Sequence, residues 1–139
     1  MKKIVLLIGL VLFTFFKLNA QPITTSTPSQ NPDNYNIAEI TFEKIVHDFG
    51  TVKKGADGNC EFKFTNTGKE PLILSNVTST CGCTVPSWTK EPVLPGKTGT
   101  IKISYTKMET VAPFNKQITV FSNSKGGNVV LTIKGNVVG

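Results

Sequence analysis

Not one of the 15 basic residues in this sequence is arginine. Arginine is the side chain best suited to bidentate contacts with phosphate and guanine, so nucleic acid is not an expected partner. Histidine occurs once, at His47, and tryptophan once, at Trp88. The chain has no internal repeat, no helical periodicity beyond its first 20 residues and no alternation of strands with helical stretches, which excludes an α/β enzyme fold. A second long apolar run is also missing, so nothing after the N-terminal segment reads as a membrane span.

The N-terminal segment itself is informative. Met1-Lys2-Lys3 precedes an apolar run from Ile4 to Phe16, followed by Lys17-Leu18-Asn19-Ala20. A basic start, an apolar centre and a small residue at the end form the pattern of a signal peptide cleaved after Ala20, and the run is shorter than the roughly 18 residues of a spanning helix. Leu18 stands where a small residue is usual, which leaves an uncleaved anchor as the alternative. There is no cysteine near the cut to take a lipid. Removal of residues 1–20 leaves 12 lysines against 9 acids, a net charge of +3, on a length that supports one domain. The expected location is therefore the periplasm or the cell exterior.

Residues 21–37 are rich in Pro, Ser, Thr, Asn and Gln and are read as a flexible tether. Beyond it, residues 38–139 carry short alternating runs separated by turn signals. A first strand runs irregularly from Ile40 to Phe49. Cys60, Phe62 and Phe64 then share one face of a strand, with Glu61, Lys63 and Thr65 on the other. Asn66-Thr67-Gly68 turns the chain into Leu72–Val77. Ile101, Ile103 and Tyr105 alternate with Lys102, Ser104 and Thr106; Phe114, Ile118 and Val120 line the next strand, and Val129–Val138 forms the last, broken by Gly135. Such a pattern predicts an all-β, immunoglobulin-like β-sandwich of about seven antiparallel strands.

These residues carry a family likeness. His47-Asp48-Phe49-Gly50-Thr51-Val52, Phe62-Lys63-Phe64-Thr65-Asn66-Thr67-Gly68 and Pro71-Leu72-Ile73-Leu74 resemble the opening half of immunoglobulin-like domains grouped with Hydin and major sperm protein. The continuation from Ser79 to Trp88, with Pro92, Pro95-Gly96 and Phe114-Asn115-Lys116, resembles the bacterial secreted family known as domain of unknown function 1573, over roughly residues 40–138. The resemblance implies a fold and an export route. It implies no activity.

The chemistry-bearing constellation is Cys81-Gly82-Cys83, with Cys60 apart from it. Three cysteines cannot all pair within one chain. Cys60 shares the inward parity of Phe62 and Phe64 and reads as a small buried hydrophobe. In an extended strand, residues two apart have α-carbons roughly 6.5–7 Å from each other, at the upper limit for a disulfide, so a Cys81–Cys83 bridge needs a bend at Gly82. Three readings stand side by side: an internal disulfide, free thiols in a tight turn, and two thiolates holding Cu(I). An exported immunoglobulin-like domain with such a pair resembles copper-delivery proteins in broad outline, although those bracket an aromatic residue with their cysteines. A third ligand from Cys60, His47 or Met108 has no ligand spacing in the sequence, and a four-ligand zinc site has no second Cys/His pair.

Catalysis finds little support. His47 and Asp48 are strand neighbours and face opposite sides, and no nucleophile is placed beside them. Asp48-Phe49-Gly50 and Gly96-Lys97-Thr98 match kinase and phosphate-loop letters without the surrounding elements. Trp88, in a proline-rich connection between Pro86 and Pro95, is either an aromatic lid over one end of the core or, if exposed, a partner anchor. Asn76-Val77-Thr78 fits a glycosylation sequon but falls within a strand. The expected function is an exported non-catalytic module without a cofactor, used for protein interaction or envelope structure through loops and strand edges. The alternative is thiol-based copper or redox handling through Cys81 and Cys83.

Overall fold

A computed structural model describes residues 37–139; the expected signal peptide and all of the expected tether but Ile37 lie outside them. Eight strands form two four-stranded sheets. They are β1 (Ile40–Phe42), β2 (Val46–Lys53), β3 (Asn59–Asn66), β4 (Leu74–Ser79), β5 (Thr84–Trp88), β6 (Thr98–Tyr105), β7 (Pro113–Ser122) and β8 (Val129–Val138). One sheet has the order β1-β3-β6-β5 and the other β2-β8-β7-β4. The expected sandwich is present, with departures in three strands.

The irregular first strand is two strands in opposite sheets. Ile40 and Phe42 turn inward on β1, whereas His47 and Phe49 turn inward on β2, so the inward parity flips between them. Glu43 to Ile45 carries the chain across. Unlike its neighbours, β2 pairs in parallel, against β8. The third departure is β5: the Pro86 stretch that reads as a connection is a strand, antiparallel to β6 with Pro86 opposite Ile103.

Period-two burial holds the sheets together. Phe62 and Phe64 of β3 and Ile101 and Ile103 of β6 meet Ile118 of β7 and Leu131 and Ile133 of β8, all essentially without solvent contact. Each such side chain contributes about 1.5–3 kcal/mol when fully buried. The aromatic contacts continue toward one end, where Tyr105 stacks on Phe114 at 4.3 Å and Phe49 lies 5.8 Å from Phe114.

Both sheets set a glycine opposite a phenylalanine, Gly99 against Phe64 and Gly135 against Phe114. A Cβ at either glycine would run into the facing ring. Gly135 therefore does not interrupt β8. Its bare backbone makes room for the aromatic partner.

Asn66 closes the core at the other end. It is fully buried, and its Nδ2 donates to the carbonyls of Glu70 at 2.7 Å and Val93 at 2.8 Å, while its Oδ1 accepts the Gly68 N–H at 2.9 Å. The same polar hub holds the β3–β4 loop and the Leu72–Val93 bridge.

Candidate functional site

β4 ends in one sheet and β5 begins in the other, and Thr80 to Cys83 makes the crossing. The Thr84 N–H reaches back to the Cys81 carbonyl at 3.4 Å, which bends the chain at Gly82. The bend brings the α-carbons of Cys81 and Cys83 to 5.3 Å, within disulfide range, and the two sulfurs are bonded to each other. Of the three readings open from the sequence, this structure contains the disulfide.

Main-chain and hydroxyl contacts hold the same turn. Ser79 Oγ accepts the Cys81 N–H at 3.4 Å, and the Cys83 carbonyl accepts both the N–H of Thr106 at 2.9 Å and its hydroxyl at 3.2 Å. Both cysteines are half-buried; Cys83 leans on the core. Thr84 is buried, and its hydroxyl lies 3.8 Å from Cys81 Sγ. A bridge closing three residues restrains the unfolded chain by about 1.6 kcal/mol, roughly half the value for a 15-residue loop.

The other sequence candidates lie elsewhere. Cys60, on β3, pairs with Ile103, three positions along β6 from the Thr106 that holds Cys83. It is half-buried, and burial pushes its thiol up to about 11. Met108 is buried in the core. His47 packs edge-on against Phe49 at 4.5 Å, and its Nδ1 accepts from Lys44 Nζ at 3.0 Å. Burial, and next the Lys44 ammonium, hold its pKa below the ordinary 6.5. Asp48 points the other way, to the Gly50 N–H at 2.8 Å and to Lys134 at 3.4 Å, as strand alternation requires. Among the described residues no three His, Cys, Asp or Glu side chains cluster at metal-binding distances. Trp88 is half-buried against the core, and Lys90 Nζ sits 3.1 Å from its ring centre.

The four sheet edges share a property that no motif announces. On β5, the bonds Thr106 N–H to Cys83 and Thr89 N–H to Thr100 fix the ladder's phase. By alternation, the main chains of Thr84, Pro86 and Trp88 point away from β6, and Pro86 has no N–H to offer there. On β4 the outward N–H of Val77 is taken by Asn76 Oδ1 at 2.9 Å. On β2 an extra residue bulges the strand at Gly50, whose φ is 67°. β1 has three residues, and the Ile40 N–H goes to Ser124 Oγ at 3.2 Å. Each edge is blunted against strand addition.

An open groove lies instead on the outer face of β3, β6 and β5. Asn59, Cys60, Glu61, Val85, Lys102 and Ser104 are among the residues that line this groove of about 500 Å³, with Val85 55% exposed. The alternation of Lys102 and Ser104 marks this face in the sequence. β5 is hidden because Pro86 breaks the expected strand texture.

Residues 40–137 match the family described as protein of unknown function (DUF1573). The chain belongs to that family. No curated protein matches it. Among solved structures, a protein of unknown function from Porphyromonas gingivalis W83 is 17% identical with a TM-score of 0.65, covering 77% of this chain and 51% of that one. The chain thus spans about half of that protein's length. The PapD-like domain of human CEP192 is 8% identical with a TM-score of 0.61, over 76% of this chain and 89% of that one. The E. coli chaperone DraB is 10% identical with a TM-score of 0.51, over 73% and 55%. At these identities the likeness is one of fold. Among the described residues no helix is long and apolar enough to cross a membrane.

Proposed function

We propose that this member of the family is an exported, non-catalytic interaction module that docks a protein or envelope component on the outer face of β3, β6 and β5. The blunted edges carry the reading: with Pro86, the Val77–Asn76 contact, the Gly50 bulge and the short β1 opposing strand addition, docking runs through side chains rather than a free strand edge, and the groove offers them on one face. Val85 supplies an exposed apolar contact, and the neighbouring Glu61 and Lys102 supply charges of both signs. Such docking calls for no cofactor. Export follows from the basic and apolar N-terminal pattern, and a disulfide fits an oxidising compartment.

The non-catalytic part rests on geometry. The single histidine is engaged by Lys44 and faces away from Asp48, so the pair cannot act together on a nucleophile. A photo-crosslinking residue at Val85 or Ser104, compared with one at Thr78 on the opposite sheet, tests the docking face in the cell envelope. Adducts from the groove positions and none from Thr78 are expected. Adducts from Thr78 alone would reject the assignment.

A further inference from the structure

From the Cys81–Cys83 turn we infer a second function: the disulfide is an exchange site that accepts two electrons from paired cysteine thiols of another polypeptide. Three features of the turn point this way. The bridge spans a single glycine, and the backbone around it is already held by the Thr84–Cys81, Cys81–Ser79 and Cys83–Thr106 contacts. These contacts are made without the sulfur–sulfur bond, so opening it need not unfold the domain. A bridge that contributes little to stability and is not alone in holding its loop is free to serve chemistry.

Access is the second feature. Cys81 and Cys83 are each only half-buried as residues, and nothing lies within 4 Å of where a side chain at the exposed Gly82 between them would begin. Cys83 lies two residues before Val85, which lines the groove, so a chain docked on that face passes close to the turn. The exchange itself does not require the groove.

The third feature is Thr84. Its hydroxyl is buried and is directed at Cys81 Sγ, where it can donate to a developing thiolate. That makes Cys81 the leaving group. The partner's first thiolate attacks Cys83 Sγ; a sulfur–sulfur bond forms between them as the Cys81–Cys83 bond breaks, and the electron pair leaves on Cys81. The partner's second thiolate then attacks its own sulfur in the mixed disulfide and releases Cys83. The partner is oxidised to a disulfide and loses two protons and two electrons, and Cys81 and Cys83 are reduced to two thiols. Cys60 takes no part: its thiol remains protonated, and it sits on β3, with β6 between it and the β5 strand that the turn leads into.

Glutathione and a short synthetic peptide with two cysteines serve as probes, used on the purified folded protein. In a series of glutathione buffers, Cys81 and Cys83 should gain alkyl labels together while the far-UV circular dichroism stays that of a β-sandwich. The oxidised protein should convert one equivalent of the peptide to its disulfide. Cys81→Ser should accumulate a mixed disulfide on Cys83. Thr84→Val should slow exchange by about ten-fold, the effect of losing one hydrogen bond to a charged sulfur, and Thr84→Ser should restore it. The inference is overturned if the wild-type bond resists glutathione until denaturant unfolds the domain, or if the peptide stays reduced.

Discussion

Asn66 donates its side-chain amide to the carbonyl of Val93, 27 residues further along the chain, at a point where neither group meets water. A polar side chain at the end of an apolar strand thereby bonds the β3–β4 loop to the segment that follows β5.

Replacing Asn66 with leucine would strip the partner from the Glu70 carbonyl and the Gly68 N–H, and would remove one of the two donors to the Val93 carbonyl, which keeps the Leu72 N–H. Polar groups left unpaired away from water cost about 1–3 kcal/mol each, so with two of them orphaned Asn66→Leu should destabilise the domain by about 2–4 kcal/mol despite adding apolar surface. Urea unfolding measures it, as a lowered midpoint at unchanged slope. A loss under about 1 kcal/mol would show that the contacts are not cooperative.

Pro86 should matter more for solubility than for stability. Pro86→Val puts an N–H and a β-branched side chain at the centre of the β5 edge, opposite Ile103. The expected outcome is concentration-dependent self-association seen by light scattering, with little change in melting temperature. A strictly monomeric variant would mean that something other than proline guards this edge.

His47 gives the domain a pH dependence with a defined sign. Its folded pKa lies below the ordinary 6.5, because of burial first and Lys44 second, with Asp48 opposing. The unfolded chain therefore binds the proton more readily, and stability falls as the pH drops through 6.5 toward the lowered folded value. Thermal melts between about pH 7.5 and pH 5 should show this decline, and His47→Gln should flatten it. Asp48, also held below its ordinary value, acts in the more acidic range below 3.8 and leaves this window clear.

Most of the sandwich was legible because burial at every second position leaves a direct trace: Phe62, Phe64, Ile101, Ile103, Ile118 and Val120 are all buried as their spacing requires. The crossing between β1 and β2 also left a trace, in the shift of inward parity from Ile40 and Phe42 to His47 and Phe49. β5 left none, since Pro86 reads as a loop residue and only its position at a sheet edge makes it compatible with a strand. Asn66 reads as a turn residue, and its burial depends on Val93, which no local pattern links to it. The cysteine pair was visible by spacing alone. The Thr84 hydroxyl beside it depends on how the turn folds back, which spacing does not encode.

The parallel pairing of β2 with β8 sets an order of events for the whole domain. The strand Val129–Val138 is inserted between β2 and β7, so β2 has no neighbour in its sheet until those residues arrive. A chain emerging N-terminus first would keep that slot empty, and the sheet would close only once Val138 had appeared.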